Sequence, residues 1–427
     1  MKNTLPSGLI EAARLTNVGR LTEATAALQR MLGGQVAQGS PDSQPRSGPP
    51  TIDGVAVAAG AAQATLARQA GQAKCGIDVG RLSVGIAEST ARPVPEALRG
   101  FLDQVSQGGL RMPGARLARP SPIPTPAAMP EGARFLAATF SNPAGSRPYK
   151  LYVPSGYRPG QPVPLLIMLH GCTQSPDDFA AGTRMNAAAE EHTCLVAYPG
   201  QTSSANMHKC WNWFSEGDQQ RDQGEPSLIA GITREVMRDY SVDPRRVYVA
   251  GLSAGGAAAA IMGHAYPDLY AAIGVHSGLA CGAASDMPSA FAAMQRGSGG
   301  SAHRAAGASR SGARLPVVPT IVFHGDRDTT VNLRNGDAVV AQSAQAATLS
   351  TQVEQGQVPS GHAFTRTLNT DANGQSVAEQ WVVHGAGHAW FGGCPAGSYT
   401  DPRGPDATRE MLRFFLEHPL CQGDAAA

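Results

Sequence analysis

The sequence carries almost no net charge and lacks long hydrophobic runs. Its 34 basic and 33 acidic residues leave a formal charge of +1 at pH 7, which argues against binding to nucleic acid by phosphate neutralisation. No run approaches the roughly 18 apolar residues that a membrane-spanning helix needs. Pro6, Glu11 and Arg14 interrupt the N-terminal stretch, so we expect no signal peptide. A cytoplasmic location is therefore expected, with secretion by a non-Sec route as the alternative.

The seven cysteines also lack the spacing of a metal site. No CxxC pair occurs among them, which argues against bound zinc, and we predict no metal site. A reducing compartment would keep most of these cysteines as thiols. Several of them lie beside the motifs described below, where a disulfide would hold a site rigid, so both readings remain open.

Composition divides the chain into three regions. Residues 1–34 carry apolar residues at helical spacing before Gly33 and Gly34, which predicts an amphipathic helix. Residues 35–133 are rich in Ala, Gly, Pro, Ser and Gln and predict a mostly disordered linker. Residues 134–418 alternate between apolar strands and helices, which predicts one α/β domain. Inside it, the Gly- and Ser-rich stretch 295–316 is expected to be a mobile surface excursion.

The α/β domain is expected to contain a mostly parallel sheet, because its strands alternate with helices. The predicted strands are ARFLAATFS, RPYKLYVP, VPLLIMLHG, CLVAYPG, RRVYVAGLS, AAIGVHSG, PTIVFHG and EQWVVHG. In such a sheet, reactive side chains belong on the loops at the carboxyl ends of the strands.

Ser253 stands in the motif GLSAGG, between a predicted strand that ends at Ala250 and a small-residue helix. A G-x-S-x-G motif in that strand–turn–helix context is typical of a nucleophilic serine on a sharp turn. Gly251 and Gly255 would let neighbouring backbone approach closely, and the helix N-terminus would favour developing negative charge. The alternative is a glycine-rich turn without catalysis.

A nucleophilic serine requires a base that is oriented by an acid, in the chain order serine, acid, histidine for this kind of sheet. The loop HGDRDTTV offers Asp326 and Asp328, and the loop HGAGHAW offers His384 and His388. We predict Asp328 as the acid and His388 as the base, because each lies further into its loop than its neighbour. Asp326 is expected to cap the turn.

The oxyanion of the tetrahedral intermediate needs backbone N–H donors. One is predicted at Ala254, directly after the nucleophile, and the other at Cys172, after the strand VPLLIMLHG. His170 and Gly171 shape that turn. His170 is also a rival candidate for the base, although it precedes the serine in the chain.

Five motifs together resemble the poly(3-hydroxybutyrate) depolymerase family of esterases. They are LHGCTQSPDDFA, CWNWF, GLSAGGAAA, HGDRDTTV and GHAWFGG with the following GSYTDPRGPDATREMLRFF. The resemblance spans roughly residues 134–418, and feruloyl and acetylxylan esterases are more distant relatives. It implies an α/β-hydrolase fold, no cofactor, and the same roles for Ser253, Asp328, His388 and Cys172.

The resemblance also implies a substrate cleft. CWNWF matches a stretch that lines the cleft, so Trp211 and Trp213 are expected to contact substrate, with only one of them exposed. His170 and Trp390 are also assigned to substrate contact. Phe391 stands where the family often has serine, which would make the rim of the cleft more apolar. Cys172 and Cys210 flank the cleft and can pair in an oxidising compartment.

The resemblance implies hydrolysis of poly(3-hydroxybutyrate) or of short-chain hydroxyalkanoate oligomers through an acyl-enzyme. The alternatives are a feruloyl, acetylxylan or other carboxylesterase, and a weakly catalytic protein that binds polymer granules. The expected partners are therefore an ester or polyester substrate and a granule surface, to which residues 1–34 and the linker would attach. No nucleic acid and no transmembrane segment are expected.

Overall fold

The computed structural model describes residues 129–297, 318–344 and 349–420, and all structural statements below refer to these ranges. They lie within one compact unit, Ser89–Ala427. The predicted N-terminal helix, almost all of the predicted linker and most of the 295–316 excursion lie outside the described residues.

Strands and helices alternate through most of the described ranges. The strands are β1 (Arg134–Asn142), β2 (Gly145–Val153), β3 (Val163–Leu169), β4 (Leu195–Pro199), β5 (Val242–Leu252), β6 (Ala272–His276), β7 (Thr320–Gly325), β8 (Ser350–Gln357), β9 (Ala363–Thr370), β10 (Ser376–Val383), β11 (Trp390–Phe391) and β12 (Thr400–Asp401). The helices are α1 (Pro176–Thr183), α2 (Met185–His192), α3 (Gly224–Asp239), α4 (Ala254–Ala265), α5 (Met287–Arg296), α6 (Arg334–Ala344) and α7 (Ala407–Glu417).

Strands β1 to β10 form one sheet in the order β1-β2-β4-β3-β5-β6-β7-β10-β9-β8. The central strands from β4 to β10 in that order pair in parallel. Antiparallel pairing is confined to the two ends of the sheet. The carboxyl ends of β3, β5, β7 and β10 therefore point to the same edge, where the candidate residues follow them.

Helices cover both faces of the sheet. Every residue of β3, β4, β6 and β7 is buried, as expected for strands that are covered on two sides. Along β3, Leu165 and Ile167 pack into one hydrophobic cluster with α3 and α4. Leu166 and Met168 pack into a second cluster with α1, α2 and α7. The predicted class, a mostly parallel sheet flanked by helices, is confirmed.

The sequence patterns did not predict β8 and β9, nor α1, α5 and α6. All but one residue of β8 are exposed, and the residues of β9 are half-buried, so neither strand carries the apolar pattern that marks a buried strand. Helix α5 runs to Arg296 and thus occupies the first residues of the predicted excursion.

A buried carboxylate ties the far end of the sheet to helix α7. Glu379 on β10 accepts hydrogen bonds from Nε of Arg366 at 2.9 Å, from Nη2 of Arg413 at 2.7 Å and from Nε1 of Trp381 at 2.7 Å. Burial opposes ionisation of Glu379. The hydrogen bonds from Arg366 and Arg413 outweigh it and hold the pKa of that carboxyl below its ordinary value.

We expect the substitution Glu379→Gln to lower the free energy of unfolding by about 3 kcal/mol at pH 7, because it leaves two arginines without their shared anion. A carboxyl whose pKa is lowered by folding stabilises above its unfolded value, and that stability is lost as pH falls through the folded value. The difference between wild type and variant in urea unfolding should therefore shrink below about pH 4.3.

Glu354→Gln is the matched control for this prediction. Glu354 bonds the same Arg366 at 3.1 Å, but its side chain is 44% exposed, so its loss should cost less than about 1 kcal/mol. Equal effects of the two substitutions, or a pH-independent effect of Glu379→Gln, would contradict the prediction.

Candidate active site

Ser253 occupies a sharp turn between β5, which ends at Leu252, and α4, which begins at Ala254. Its backbone has φ 58° and ψ −119°, a conformation that L-residues rarely adopt and that folding must enforce. The Ser253 N–H donates to the carbonyl of His276 on the adjacent strand at 2.9 Å. The side chain therefore stands at the N-terminus of a buried helix, where the helix dipole favours negative charge.

The two glycines of the motif are required by close backbone packing. A Cβ at Gly251 would lie 2.3 Å from the carbonyl carbon of Gly255, and a Cβ at Gly255 would lie 2.0 Å from the carbonyl oxygen of Leu169. Both distances are far below any real contact. The turn therefore sits directly against the end of β3, from which the predicted oxyanion loop departs.

His388 and Asp328 form a hydrogen-bonded pair in the loops after β10 and β7. The Nδ1 atom of His388 lies 2.7 Å from Oδ2 of Asp328, whose other oxygen accepts the N–H groups of Thr330 and Val331 at 2.8 Å each. Burial opposes ionisation of Asp328. The interactions with His388 outweigh it, and the pKa of that carboxyl is lowered. The ionised acid thus holds the proton of His388 on Nδ1 and leaves Nε2 to act as a base.

The neighbouring residues Asp326 and His384 form a second pair of the same kind. The Nδ1 atom of His384 lies 3.0 Å from Oδ2 of Asp326, and Nε2 of His384 lies 2.9 Å from the hydroxyl of Thr365. Oδ1 of Asp326 accepts the N–H of Gly385 at 2.7 Å, so Asp326 caps the loop after β10, while the N–H groups of its own loop bond to Asp328. This pair is partly exposed, and neither residue lines the cavity that contains His388.

One cavity of about 110 Å³ is lined by Ser253, Ala254, Cys172 and His388 together. Its remaining walls are mostly apolar, and Trp213 is among them. The structure thus brings the predicted nucleophile, the predicted base and both predicted oxyanion donors to one cavity. The predicted acid is hydrogen-bonded to the base.

The amides of Cys172 and Ala254 are available for a ligand. Among the described residues, no protein oxygen accepts either N–H. Gln174, which is 2% exposed, fixes the loop: its Oε1 accepts the N–H of Gly171 at 2.9 Å, and its Nε2 donates to Asp178 at 2.8 Å. Gln174 is therefore a positioning residue for the Cys172 amide, and sequence reasoning gave it no role.

We expect Gln174→Leu to lower kcat for p-nitrophenyl butyrate by about 10- to 100-fold with KM changed much less. The amide of Cys172 would lose its fixed direction, and a donor aimed at the oxyanion acts mainly in the transition state. Gln220→Leu, the same change at an exposed position, is the control. A rise in KM with an unchanged kcat would contradict a positioning role.

A disulfide joins Cys172 to Cys210, the pairing left open by the sequence. The N–H of Thr173 also donates to the carbonyl of His208 at 2.7 Å. Two links therefore connect the oxyanion loop to the segment 206–214, which supplies several of the residues that line the cavity. Buried Glu225 holds that segment in turn, accepting the N–H of Asn212 at 2.7 Å.

The structure corrects three of the four substrate-contact assignments. Trp211 is fully buried and donates through Nε1 to the carbonyl of His170 at 3.1 Å. Trp390 is 1% exposed and donates to the hydroxyl of Thr408 at 2.9 Å. His170 accepts the N–H of Gln201 at 3.0 Å and packs beneath the turn. None of the three lines the cavity, whereas Trp213 does, although it is only 7% exposed.

His170 is also unsuited to act as the base. Burial lowers its pKa to about 4, and both ring nitrogens are engaged, one with Gly171 and the other with Gln201. Phe391 is likewise buried, against the ring of His276 at 4.5 Å between centroids. It does not form the rim, so the expected apolar rim at Phe391 was wrong.

Besides Gln174, sequence reasoning missed His276 and Tyr399 at the site. Buried His276 accepts the N–H of Phe391 at 3.1 Å, while its carbonyl accepts that of Ser253, so it connects the nucleophile turn to the strand after His388. Tyr399 lines the cavity, and its hydroxyl lies 3.2 Å from that of Thr173. The polar motif GSYTD does not indicate whether the tyrosine side chain points into the cavity, into the core or into solvent.

Residues 147–353 match the family model described as Esterase PHB depolymerase. Poly(3-hydroxyalkanoate) depolymerase C of Paucimonas lemoignei is 33% identical over 251 residues, covering 58% of this chain and 59% of that protein. Poly(3-hydroxybutyrate) depolymerase of Ralstonia pickettii is 28% identical over 270 residues, covering 60% and 52%. The match thus spans between half and three fifths of these relatives.

Feruloyl esterase B of Neurospora crassa is 32% identical over 155 residues, covering 35% of this chain and 50% of that protein. Among solved structures, an acetyl xylan esterase from Aspergillus awamori has a TM-score of 0.50 at 18% identity, covering 67% of this chain and 99% of that one. This likeness concerns the fold alone, and the predicted α/β-hydrolase fold is confirmed. Residues 147–353 therefore contain a domain of the type that the esterase PHB depolymerase family model describes.

Proposed function

We propose that the protein is a serine esterase that hydrolyses poly(3-hydroxybutyrate) or its short-chain hydroxyalkanoate oligomers. The observation that carries the proposal is the shared cavity of Ser253, His388 and the Cys172 amide, with Asp328 bonded to the far side of His388. The family match and the names of the two depolymerase relatives support a polyester substrate.

The first half of the reaction is acylation. Nε2 of His388 takes the hydroxyl proton of Ser253 as Oγ attacks the ester carbonyl, and ionised Asp328 stabilises the imidazolium that results. The amides of Cys172 and Ala254 hold the oxyanion. The carbon–oxygen bond to the alcohol then breaks, and the leaving alcohol takes the proton from His388.

The second half is deacylation. His388 removes a proton from a water molecule, whose oxygen attacks the carbonyl of the acyl-serine. The tetrahedral intermediate is held by the same two amides, and its collapse returns the proton to Oγ of Ser253. The products are a 3-hydroxyalkanoate acid and a chain that ends in a hydroxyl group.

The size and polarity of the cavity favour a short aliphatic ester. Its volume of about 110 Å³ is below the 300–1,000 Å³ that is usual for drug-sized ligands. Its walls are mostly apolar, which suits the hydrocarbon part of an aliphatic ester better than a sugar.

The test is clearing of a turbid suspension of amorphous poly(3-hydroxybutyrate), run beside methyl ferulate and acetylated xylan. We expect clearing and release of 3-hydroxybutyrate with little activity on the other two substrates. Faster hydrolysis of methyl ferulate or acetylxylan would favour the corresponding esterase. Polymer binding by the Ser253→Ala variant, together with no hydrolysis by the wild type, would favour a granule-binding protein.

Location and granule attachment are further proposals. Residues 1–34 would attach the protein to polymer granules, and their deletion should release it from isolated granules. The Cys172–Cys210 disulfide supports the alternative location outside the cytoplasm, because cytosolic thiols are kept reduced. Peptide mapping of native protein from each cell fraction, without reductant, distinguishes the two locations.

A further inference from the structure

One face of helix α5 lines the catalytic cavity. Met287, Ala290, Phe291 and Met294 all border it, and their spacing of three, four and seven residues places them on one helical stripe. Ala290 is buried, while the three larger side chains are half-buried. The exposed residues of α5 are Pro288, Ala292, Gln295 and Arg296. The apolar face of this helix is thus turned toward the space in front of Ser253.

Helix α5 is held firmly in this place. At its N-terminus, Asp286 accepts the N–H of Ser289 at 2.8 Å, and the hydroxyl of Ser289 accepts the N–H of Asp286 at 3.1 Å. This reciprocal capping box satisfies two N–H groups of the first turn. The N-terminal end of α5, and the apolar face there, is therefore ordered without bound substrate.

The C-terminal end of α5 is tied to the segment that follows the predicted acid. The N–H of Asn332 donates to the carbonyl of Met294 at 2.7 Å, and the side chain of Asn335 donates to the carbonyl of Ala293 at 2.9 Å. Thr330 and Val331, whose amides bind Asp328, border the same cavity. The distance between the face and the catalytic groups is therefore fixed by the same segment that holds the acid.

We propose that this face of α5 is the subsite for the alkyl chain of the substrate and sets the chain length that the enzyme accepts. The ligand class is a short saturated hydrocarbon group of an aliphatic ester, such as the alkyl side group of a hydroxyalkanoate. The inference rests on the proposed esterase function and adds the residues that select the substrate. Apolar side chains at this position offer no hydrogen bond, so the face recognises length and volume and not a polar substituent.

Substitutions at two positions of the stripe are expected to shift the accepted chain length in opposite directions. Methionine is flexible and fills irregular space. Met294 therefore limits the cavity to short chains, and its replacement by a smaller residue makes room for longer chains. Ala290 is the small member of the stripe, and a larger residue there fills space that the chain would occupy. Opposite shifts from the two positions are expected only if the stripe contacts the chain.

The experiment measures kcat/KM for p-nitrophenyl acetate, butyrate, hexanoate and octanoate. Relative to the wild type, we expect Met294→Ala to raise the octanoate-to-butyrate ratio by about tenfold or more, and Ala290→Leu to lower it by a similar factor. These sizes follow from the roughly 10- to 200-fold discrimination that one methylene gives in an apolar pocket. A second series, methyl to hexyl butyrate, shows whether the chain lies on the acyl or the alcohol side.

Two control variants accompany the test. Ala292→Leu makes the same change as Ala290→Leu on the exposed face of α5 and should keep the wild-type ratios. Met294→Leu preserves volume and should do the same. Ratios that stay at the wild-type value in both series for Met294→Ala and Ala290→Leu, in enzymes that remain active, would overturn the subsite alone. A wild type that hydrolyses none of the esters would overturn the proposed function and the subsite with it.

Discussion

Replacement of Ser253 by alanine is expected to lower kcat/KM for p-nitrophenyl butyrate by at least about 10⁴-fold. Oγ of Ser253 is the only protein atom in the proposed mechanism that forms a bond to the carbonyl carbon, and the rate that remains comes from the oxyanion donors and substrate binding. The protein should fold normally, because alanine keeps the backbone contacts of the turn. Substantial retained activity would remove Ser253 from the mechanism.

Two further variants make this test specific. Ser277→Ala changes a buried serine that also has a positive φ, 48°, and directly follows β6. This variant should keep most of the activity because Ser277 does not border the cavity. Ser253→Gly should be as inactive as Ser253→Ala but more stable than it by about 1 kcal/mol. Glycine tolerates φ 58° and ψ −119° without the strain that folding imposes on serine. Equal stability of the two variants would contradict stored strain at the turn.

The sequence was sufficient for those parts of the site that depend on backbone geometry. A G-x-S-x-G motif between a buried strand and a small-residue helix leaves few ways to fold, because Gly251 and Gly255 have no room for a Cβ. The strands β3, β4, β6 and β7 are mostly apolar runs, so their burial could be predicted from the sequence as well. The loops after them then had to meet at one edge of the sheet.

The sequence was insufficient where tertiary packing decides direction. Trp211 and Trp390 lie in motifs next to the cleft, yet both point into the core and bond inside it. A tryptophan suits a cleft or a core equally well, and only the neighbouring elements decide between them. Strand β8 was not predicted because seven of its eight residues are exposed, so it lacks an apolar pattern. Helix α5 was missed because its stripe is short and is followed by a glycine-rich stretch.

Replacement of Asp328 by asparagine is expected to lower kcat/KM by about 10³- to 10⁴-fold. Asparagine would present an amide that no longer favours the proton on Nδ1 of His388, and the neutral side chain could not stabilise the imidazolium. The hydrogen bond of 2.7 Å between the two groups would be lost or reversed. We expect the loss mainly in kcat, since Asp328 itself does not border the cavity.

Asp326→Asn is the matched control, because Asp326 and His384 form a second aspartate–histidine pair in the same two loops. Asp326 bonds His384 at 3.0 Å, but neither residue reaches the cavity that holds Ser253. If orientation of the base toward the serine is what matters, Asp326→Asn should change kcat/KM by less than about threefold. If the two substitutions had equal effects, or if Asp326→Asn were the more damaging, the acid would have to be reassigned. The choice between the pairs therefore depends on which histidine shares a cavity with the serine, a relation that the spacing along the chain does not contain.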